Sequence, residues 1–232
     1  MKAPSPKGAD AEAAVEALKR LGSRKNREGM ARYAIPSDRA FGVPMGKIQA
    51  LGRRLGKSHA LAEALWKTGW YEARTLAAYV AEPERVTAAQ MDRWCRDFDS
   101  WAICDTVCFV LWDRTPNAFG KVRAWAARRE EFVRRAAFAL LASVALHDKQ
   151  SGDEPFALFL PLVEDAASDD RNFVKKGVSW ALRSVGRRSR ALHAKSVALA
   201  RRLAASEDAA ERWVGRDALK DLSRPAVIGR LE

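Results

Sequence analysis

Five segments of the chain can be written over one another: EARTLAAYV at 72–80, ICDTVCFVL at 103–111, VRRAAFALL at 133–141, VKKGVSWAL at 174–182 and VGRDALKDL at 214–222. The third position of each segment is charged, and the intervals between these positions are 31, 30, 41 and 40 residues. The matched positions are Arg74, Asp105, Arg135, Lys176 and Arg216. Such intervals are typical of stacked helix pairs of the HEAT class. We therefore expect an all-α, right-handed superhelical solenoid of HEAT-like antiparallel helix pairs.

Helical periodicity continues on both sides of these segments. Ala, Leu, Val and Trp recur at spacings of three and four residues, and strand-like alternation is nearly absent. The pattern predicts helices at 10–22, 25–33, 44–55, 58–67, 70–80, 87–97, 100–112, 117–128, 131–147, 155–166, 171–187, 190–204 and 208–221. Residues 1–9 lack periodic apolar positions and are predicted to be a flexible basic lead. Residues 10–232 are predicted to form a single HEAT-like repeat domain.

The charge balance favours a polyanionic partner. Lys and Arg together number 41 against 29 Asp and Glu, which gives a formal net charge of +12. Nucleic acid is the leading candidate and an anionic membrane surface is the second. In a solenoid the second helices of successive pairs line one concave wall, so the matched positions are expected to share a groove. A column of Arg and Lys there would follow a phosphate backbone.

Other features bear on location and metal binding. No apolar run approaches the roughly 20 residues that a membrane span needs, and the first residues lack the apolar stretch of a secretory signal. We expect a cytoplasmic, nucleoid-associated protein. The number of cysteines is odd, which suits a reducing compartment, and their positions do not match the spacing of a zinc site. We therefore expect buried free thiols, and no bound metal, at Cys95, Cys104 and Cys108.

Asp105 is the acidic exception in the cationic column. As a binding residue it would repel phosphates, so two interpretations stay open: a helix cap or ion pair, and a catalytic carboxylate. Trp101 lies one turn before Asp105, and Trp180 lies one turn after Lys176. Indole faces attract cations, which suits a cationic base or a developing oxocarbenium ion. The alternative for both tryptophans is core packing, the role expected for Trp66, Trp70, Trp94, Trp112 and Trp125.

Motifs around these residues resemble the AlkD-type family of DNA alkylation repair glycosylases, which are HEAT-like repeat proteins. The resemblance runs from about Met30 to Arg183. It is carried by MARY at 30–33, FGVP at 41–44, SWAICD at 100–105, RRAA at 134–137 and KKGVSWALR at 175–183. Each motif alone is weak, but their order and spacing together are fairly specific.

The resemblance implies a role for each matched residue. Asp105 would be the catalytic carboxylate, Trp101 and Trp180 would contact the sugar of the damaged nucleotide, and Tyr33 would lie in the lesion-facing region. Arg135 would hold the DNA backbone beside the lesion. Together with the cationic column, this gives Arg135, Arg74, Lys176, Arg183 and Arg216 as the residues expected to bind the DNA backbone. Many relatives carry an acidic residue directly after the motif tryptophan, whereas this chain has Ala102. One carboxylate is left where those relatives have two.

The implied reaction is hydrolysis of the N-glycosidic bond of N3- or N7-alkylated purines in double-stranded DNA, without base flipping. An alkylated purine is already cationic and leaves without a general acid. A single carboxylate could then stabilise the oxocarbenium-like sugar and position a water. No cofactor is called for, and an open groove that embraces duplex DNA suggests a monomer.

Two rival functions remain open at this point. A HEAT-like scaffold that binds DNA, RNA or an acidic protein and catalyses nothing would share the composition and the basic column. A binder of branched or otherwise distorted DNA would share the architecture. GVPMGK at 42–47 contains glycines and a lysine, but it lacks the spacing of a phosphate-binding loop.

Overall fold

The protein is all-helical in the computed structural model, which describes residues 8–231 and contains no strand among them. Short 3₁₀ helices occur at Met30–Tyr33, Pro83–Arg85 and Trp112–Arg114. The α-helices of the described residues are α1 Gly8–Leu21, α2 Arg24–Gly29, α3 Met45–Leu55, α4 His59–Lys67, α5 Tyr71–Val80, α6 Ala88–Arg96, α7 Trp101–Val110, α8 Ala118–Ala126, α9 Glu131–His147, α10 Glu154–Ala157, α11 Leu160–Asp165, α12 Asn172–Val185, α13 Arg190–Ala204, α14 Ala209–Leu222 and α15 Pro225–Ile228.

The predicted helices are confirmed with three exceptions in their extent. The predicted helix 100–112 ends as an α-helix at Val110 and is followed by the 3₁₀ helix Trp112–Arg114. The predicted helix 155–166 is wrong as a single element, because it is broken into α10 and α11. Pro161 lies at the start of α11, where it has no N–H to donate to the preceding turn and its ring would clash there. The predicted helix 25–33 changes after Gly29 from an α-helix to the 3₁₀ helix Met30–Tyr33.

The predicted basic lead lies mostly outside the described residues. Residues 1–7 of it are not described, and its last two residues, Gly8 and Ala9, begin α1. From residue 8 onward the chain forms two compact units. The first ends at Thr115 and the second begins at Pro116. Each unit is a helical body with its own core.

The first unit is built around α5. Helices α3 and α4 pack on α5, and α5 packs on α7. Trp66 and Trp94 stack inside this unit with ring centroids 4.0 Å apart and nearly parallel planes. Trp112 is also buried, whereas Trp70 is half-buried and stacks on Phe41 at 4.4 Å. The core role predicted for Trp66, Trp94 and Trp112 is therefore confirmed.

The second unit is built around α9 and α12. Helix α9 packs on α8 and α12, and α14 packs on α12 and α13. Trp125 is buried, as predicted. Gly215 permits the close approach of α13 and α14, since an added Cβ would lie 2.3 Å from the backbone nitrogen of Ala204. Each matched segment thus lies on a helix that packs against a neighbouring matched helix of the same unit.

The three thiols Cys95, Cys104 and Cys108 are buried and form no disulfide with the described residues, in agreement with the expectation from the sequence. Burial raises the pKa of Cys108 well above its ordinary value, with further contributions from Cys104 and from the charge of Asp105. Between residues 8 and 231 no three His, Cys, Asp or Glu side chains are grouped as metal ligands. None of the helices in that range combines the length and the apolar character of a membrane span.

Candidate active site

Asp105 lies in the middle of α7, not at either end. The helix begins after Ser100, whose backbone is extended (φ −154°), and ends at Val110. Asp105 is half-buried, and Trp101 and Phe109, one turn before and after it, are also half-buried. The opposite side of α7 is packed into the core. The helix-cap interpretation of Asp105 is therefore excluded, and its carboxylate belongs to the more exposed face of α7.

Trp101 connects α7 to the segment that carries Tyr33. The indole Nε1 of Trp101 donates a hydrogen bond of 2.7 Å to the backbone carbonyl of Tyr33, 68 residues earlier in the chain. The side chain of Tyr33 is exposed, with 66% of the residue accessible to solvent. Tyr33 and Trp101 are thus in contact one helical turn from Asp105. The structure brings together three of the residues that the sequence singled out.

Tyr33 is held at the end of its 3₁₀ helix by an unusual backbone conformation. The next residue, Ala34, has φ 52° and ψ 43°, and it is the one non-glycine residue with positive φ among those described. Its N–H donates back to the carbonyl of Ala31 at 3.0 Å. A left-handed alanine costs about 1–3 kcal/mol and is retained where the surroundings fix it. The strain lies directly beside a predicted site residue.

Glu72 fixes the loop between Tyr33 and α3, and sequence reasoning missed this role. The carboxylate of Glu72 is fully buried and accepts hydrogen bonds from three consecutive backbone N–H groups. Phe41 donates to Oε2 at 2.9 Å, and Gly42 and Val43 donate to Oε1 at 2.7 and 3.1 Å. The motif FGVP thus serves as a set of amide donors. The same amides could not also cradle a phosphate, which disfavours the phosphate-loop interpretation of GVPMGK.

Gly42 is required in this loop for two reasons. Its φ is +75°, a conformation that L side chains rarely adopt. An added Cβ would also lie 2.4 Å from the carbonyl oxygen of Ser23 and 2.5 Å from the backbone nitrogen of Arg27. A signal for Glu72 exists in the sequence, since it shares the apolar stripe of Leu76 and Val80 on α5.

Arg74 lies on α5 and is largely committed to its own unit. Its Nη1 donates to the carbonyl oxygen of Asp97 at 3.0 Å, and its Nη2 lies 3.6 Å from the Oδ2 of the same residue. The guanidinium also lies over the ring of Trp66, 5.3 Å from the centroid. The role of Arg74 in binding the DNA backbone stays a prediction. Its guanidinium already lies beside the carboxylate of Asp97.

The second unit presents two exposed matched cations on adjacent helices. Lys176 on α12 and Arg216 on α14 are both exposed. Between these helices the Nζ of Lys175 lies 5.4 Å from the ring centroid of Trp213. Trp213, Arg216 and Lys220 line a surface cavity of about 420 Å³. Sequence reasoning did not assign Trp213, although it stands directly before the matched segment of α14.

Arg135 and Arg183 have internal partners in the second unit. Arg135 is 6% exposed, and its Nη1 donates to the backbone carbonyl of Phe173. The Nε of Arg183 donates to the carbonyl of Ser179 at 3.2 Å and lies 3.6 Å from the Oδ2 of Asp217. The expected contacts of Arg135 and Arg183 with DNA stay predictions. It also stays a prediction that all five matched positions line one face.

Trp180 is half-buried on α12 and lines a second surface cavity of this unit. Its exposure differs from that of Trp94 and Trp112, which are completely buried. The indole of Trp180 therefore combines a packed edge with an accessible one. Its proposed sugar contact rests on the resemblance and stays a prediction.

Comparison with solved structures gives a match over most of the chain. The matched structure is described as a new family of proteins related to the HEAT-like repeat DNA glycosylases with affinity for branched DNA structures, and it matches 90% of this chain and 94% of its own at 19% identity and a TM-score of 0.75. At this identity the match shows a HEAT-like repeat fold and no more. Two engineered proteins align at 15% and 13% identity with TM-scores of 0.36 and 0.34, too low to inform the fold.

The sequence itself identifies the family. No curated protein matches the chain at a significant level. The family model of DNA alkylation repair enzymes, in contrast, matches residues 14–222, which include every residue singled out above. The matched range spans both compact units. The chain belongs to the DNA alkylation repair enzyme family.

Proposed function

We propose that the protein is an alkylpurine DNA glycosylase that hydrolyses the N-glycosidic bond of cationic N3- or N7-alkylated purines in duplex DNA. The observation that carries the proposal is the hydrogen bond between Trp101 and Tyr33. It ties the backbone of Tyr33 to the indole of Trp101, which lies on the same half-exposed face of α7 as Asp105. We propose that both rings face the nucleotide beside the carboxylate, an arrangement suited to a positively charged sugar or base.

The proposed chemistry needs one carboxylate. The alkylated base leaves with the electrons of the C1′–N bond and becomes neutral, so it requires no proton. Asp105 stabilises the positive charge that develops on the sugar and orients a water, which adds to C1′ and releases a proton to the surrounding solvent. Ala102, in the place of a second acidic residue, is buried on the inner side of α7. A second acid would serve to protonate the leaving base, and a base that is already cationic does not need that proton.

The proposed contacts divide between sugar and backbone. Tyr33, Trp101 and Trp180 contact the damaged nucleotide without enclosing its base. Exposed Lys176 and Arg216 bind phosphates, and binding releases counterions from the DNA. Arg74, Arg135 and Arg183 are proposed to approach the backbone while retaining their internal partners. We add Trp213 to this interface, because it lies beside Arg216 and Lys175. We further propose that the protein acts as a monomer.

The test is release of 7-methylguanine from methylated duplex DNA under single-turnover conditions. The wild-type protein should release the base, and Asp105→Asn should not. Asp10→Asn is a matched control, since Asp10 is exposed on α1 and lies outside the candidate site. Absence of release by a folded wild-type protein would contradict the proposal.

A second candidate function is favoured by the solved structure with the same fold. Its description names affinity for branched DNA structures. The corresponding function here is binding of branched or distorted DNA without catalysis. Measured affinities for nicked, branched and intact duplexes separate the two candidates. Preference for branched DNA together with no base release would favour this second function.

A further inference from the structure

A surface cavity of about 550 Å³ lies in the second unit, where the end of α9 meets α12 and the last residues described. Its volume falls within the range of roughly 300–1,000 Å³ typical of small-ligand sites. Of its lining residues, Trp180 alone has a role in the function proposed above. Its lining includes three basic, one aromatic and one aliphatic side chain, namely Lys149, Arg188, Arg230, Trp180 and Leu146.

Arg188 places a poorly compensated positive charge in the cavity wall. Its Nη1 donates to the carbonyl oxygens of Ala145, at 2.8 Å, and of Asp148, and its Nη2 donates to that of Ser151 at 2.9 Å. The guanidinium lies 3.7 Å from the ring centroid of Phe156. All these partners are formally neutral. These contacts fix the guanidinium in position, but none of them brings a negative charge to it.

The electrostatics around Arg188 support an anion. Burial lowers the pKa of Arg188, so the cation is poorly solvated, and the charges of Asp148 and Asp153 offset this only in part. The buried Nε of Arg188 has no hydrogen-bond partner within residues 8–231. The neighbouring Arg187 differs, because it forms a two-pronged pair with the carboxylate of Asp221. An anion in the cavity would complete the compensation of a charge that Asp148 and Asp153 offset only in part.

Two more cations stand at the cavity. Lys149 and Arg230 are exposed, and neither forms an ion pair with the part of the chain that the structure describes. One carboxylate, that of Asp153, also lines the cavity, and it accepts a hydrogen bond of 2.5 Å from the Oγ of Ser189. Cations therefore outnumber the carboxylate. A phosphate monoester, which carries a charge of about −1.5 to −2 near neutral pH, matches this excess better than a singly charged diester.

An aromatic and an aliphatic surface complete the cavity. The indole of Trp180 lines it, and Leu146 is an exposed large hydrophobic residue, 46% accessible. Indole faces bind nucleobases by stacking, without regard to sequence. The combination of a stacking surface with clustered cations suits a ligand that has a base at one end and a phosphate at the other.

We propose that this cavity binds the phosphorylated terminal nucleotide of a DNA strand, with the phosphate against Arg188, Lys149 and Arg230 and the base or sugar against Trp180. The proposal rests on the proposed function only in taking DNA as the source of the nucleotide. Strand ends that carry a phosphate occur at nicks and gaps. The cavity would thus direct the protein to broken as well as intact DNA.

The experiment compares short single-stranded oligonucleotides of one sequence with a 5′-phosphate, a 3′-phosphate or no terminal phosphate, and adds a free nucleoside monophosphate. Affinity is measured by fluorescence anisotropy and competition. One phosphorylated oligonucleotide should bind at least about tenfold more tightly than the unphosphorylated one. The preference should vanish in Lys149→Glu/Arg230→Glu. It should persist in Arg190→Glu/Lys195→Glu, which reverses two exposed charges of α13 outside the cavity.

Three results would overturn the proposal. They are equal binding of all oligonucleotides by the wild-type protein, persistence of the preference in the cavity variant, and equal loss in the α13 control. Tight binding of the free nucleoside monophosphate, equal to that of the oligonucleotide, would overturn the assignment to a strand end. Base release from methylated duplex is measured in parallel, so failure of the glycosylase proposal is recognised separately.

Discussion

Asp105 and Trp101 show how a single helix face combines a polar and an aromatic group without burying either. Both are half-buried on α7, while the residues between them, Ala102, Ile103 and Cys104, are buried. A carboxylate at such a position is partly desolvated, and its field acts over a longer distance than in bulk water. Whether this field is used for catalysis or for stability can be separated at the residue level.

Asp105→Asn should lower single-turnover release of 7-methylguanine by at least about 100-fold, because the amide lacks the charge that stabilises a cationic sugar. Duplex affinity should be unchanged or slightly higher, since an anion that repels phosphate is removed. The melting temperature should stay close to that of the wild type. A lower melting temperature with excision reduced only in proportion to the folded fraction would instead indicate a structural ion pair.

Trp101→Phe should separate the aromatic surface from the hydrogen bond. The ring is retained, but the carbonyl of Tyr33 loses its donor, which should cost about 0.5–1.5 kcal/mol in the free energy of unfolding. Excision should fall about tenfold, because Tyr33 is no longer tied to the helix of Asp105. The measurements are urea denaturation and single-turnover excision.

Trp70→Phe provides the control for this change. Trp70 is half-buried in the same unit and stacks on Phe41, and its indole N–H donates no hydrogen bond to the described residues. The same indole-to-phenyl change there should keep the excision rate. If both variants lose excision equally, the hydrogen bond of Trp101 is not the cause.

At the scale of elements, the link between α5 and the FGVP loop is the clearest feature of the first unit. One carboxylate, that of Glu72, binds three amides contributed by a segment about 30 residues earlier in the chain. The loop joins Tyr33 to α3, so its conformation affects the geometry of the candidate site. Its stability can be tested apart from the chemistry.

Glu72→Gln should destabilise the protein by about 1–3 kcal/mol. Both carboxylate oxygens accept from amides, and an NH₂ group in the place of either oxygen would face a donor. Denaturant unfolding measures this loss. Glu63→Gln is the matched control, because Glu63 forms a more exposed pair with Arg93 and such pairs contribute about 0–1 kcal/mol. Equal losses in the two variants would show that the three-amide clamp contributes little.

The helices could be predicted from the sequence more completely than the site. Helices α9 and α13 have the predicted bounds, because long apolar periodicity fixes them locally. Pro161 divides a predicted helix, although its effect could have been read from its missing N–H. The contacts of Glu72 and the hydrogen bond of Trp101 join residues far apart in the chain. Local periodicity carries no information about such partners.

For the molecule as a whole, the net charge of +12 predicts strongly salt-dependent binding to DNA. The charge alone does not say which cations contact phosphate. Exposure and internal pairing indicate which cations contact phosphate, because Lys176 and Arg216 are exposed while Arg135 is buried. The exposed pair should therefore dominate the salt dependence among the matched positions.

Lys176→Ala and Arg216→Ala should each reduce the slope of log affinity against log salt by about 0.9, and should weaken binding to all sequences alike. Fluorescence anisotropy over a salt series measures both effects. Lys195→Ala, an exposed change on α13, should leave the slope unaltered. A loss confined to particular sequences would indicate that these side chains read bases.

The burial of the three cysteines affects how readily the protein itself is modified by alkylating agents. Reagents that methylate purines also methylate thiolates, and the thiolate is the nucleophilic form of cysteine. Cys95, Cys104 and Cys108 are buried, and the raised pKa of Cys108 keeps that sulfur protonated. We expect the folded protein to take up little methyl label on sulfur at doses that damage DNA. A member of an alkylation repair family whose cysteines are buried in this way is expected to keep them unmodified at doses that methylate DNA.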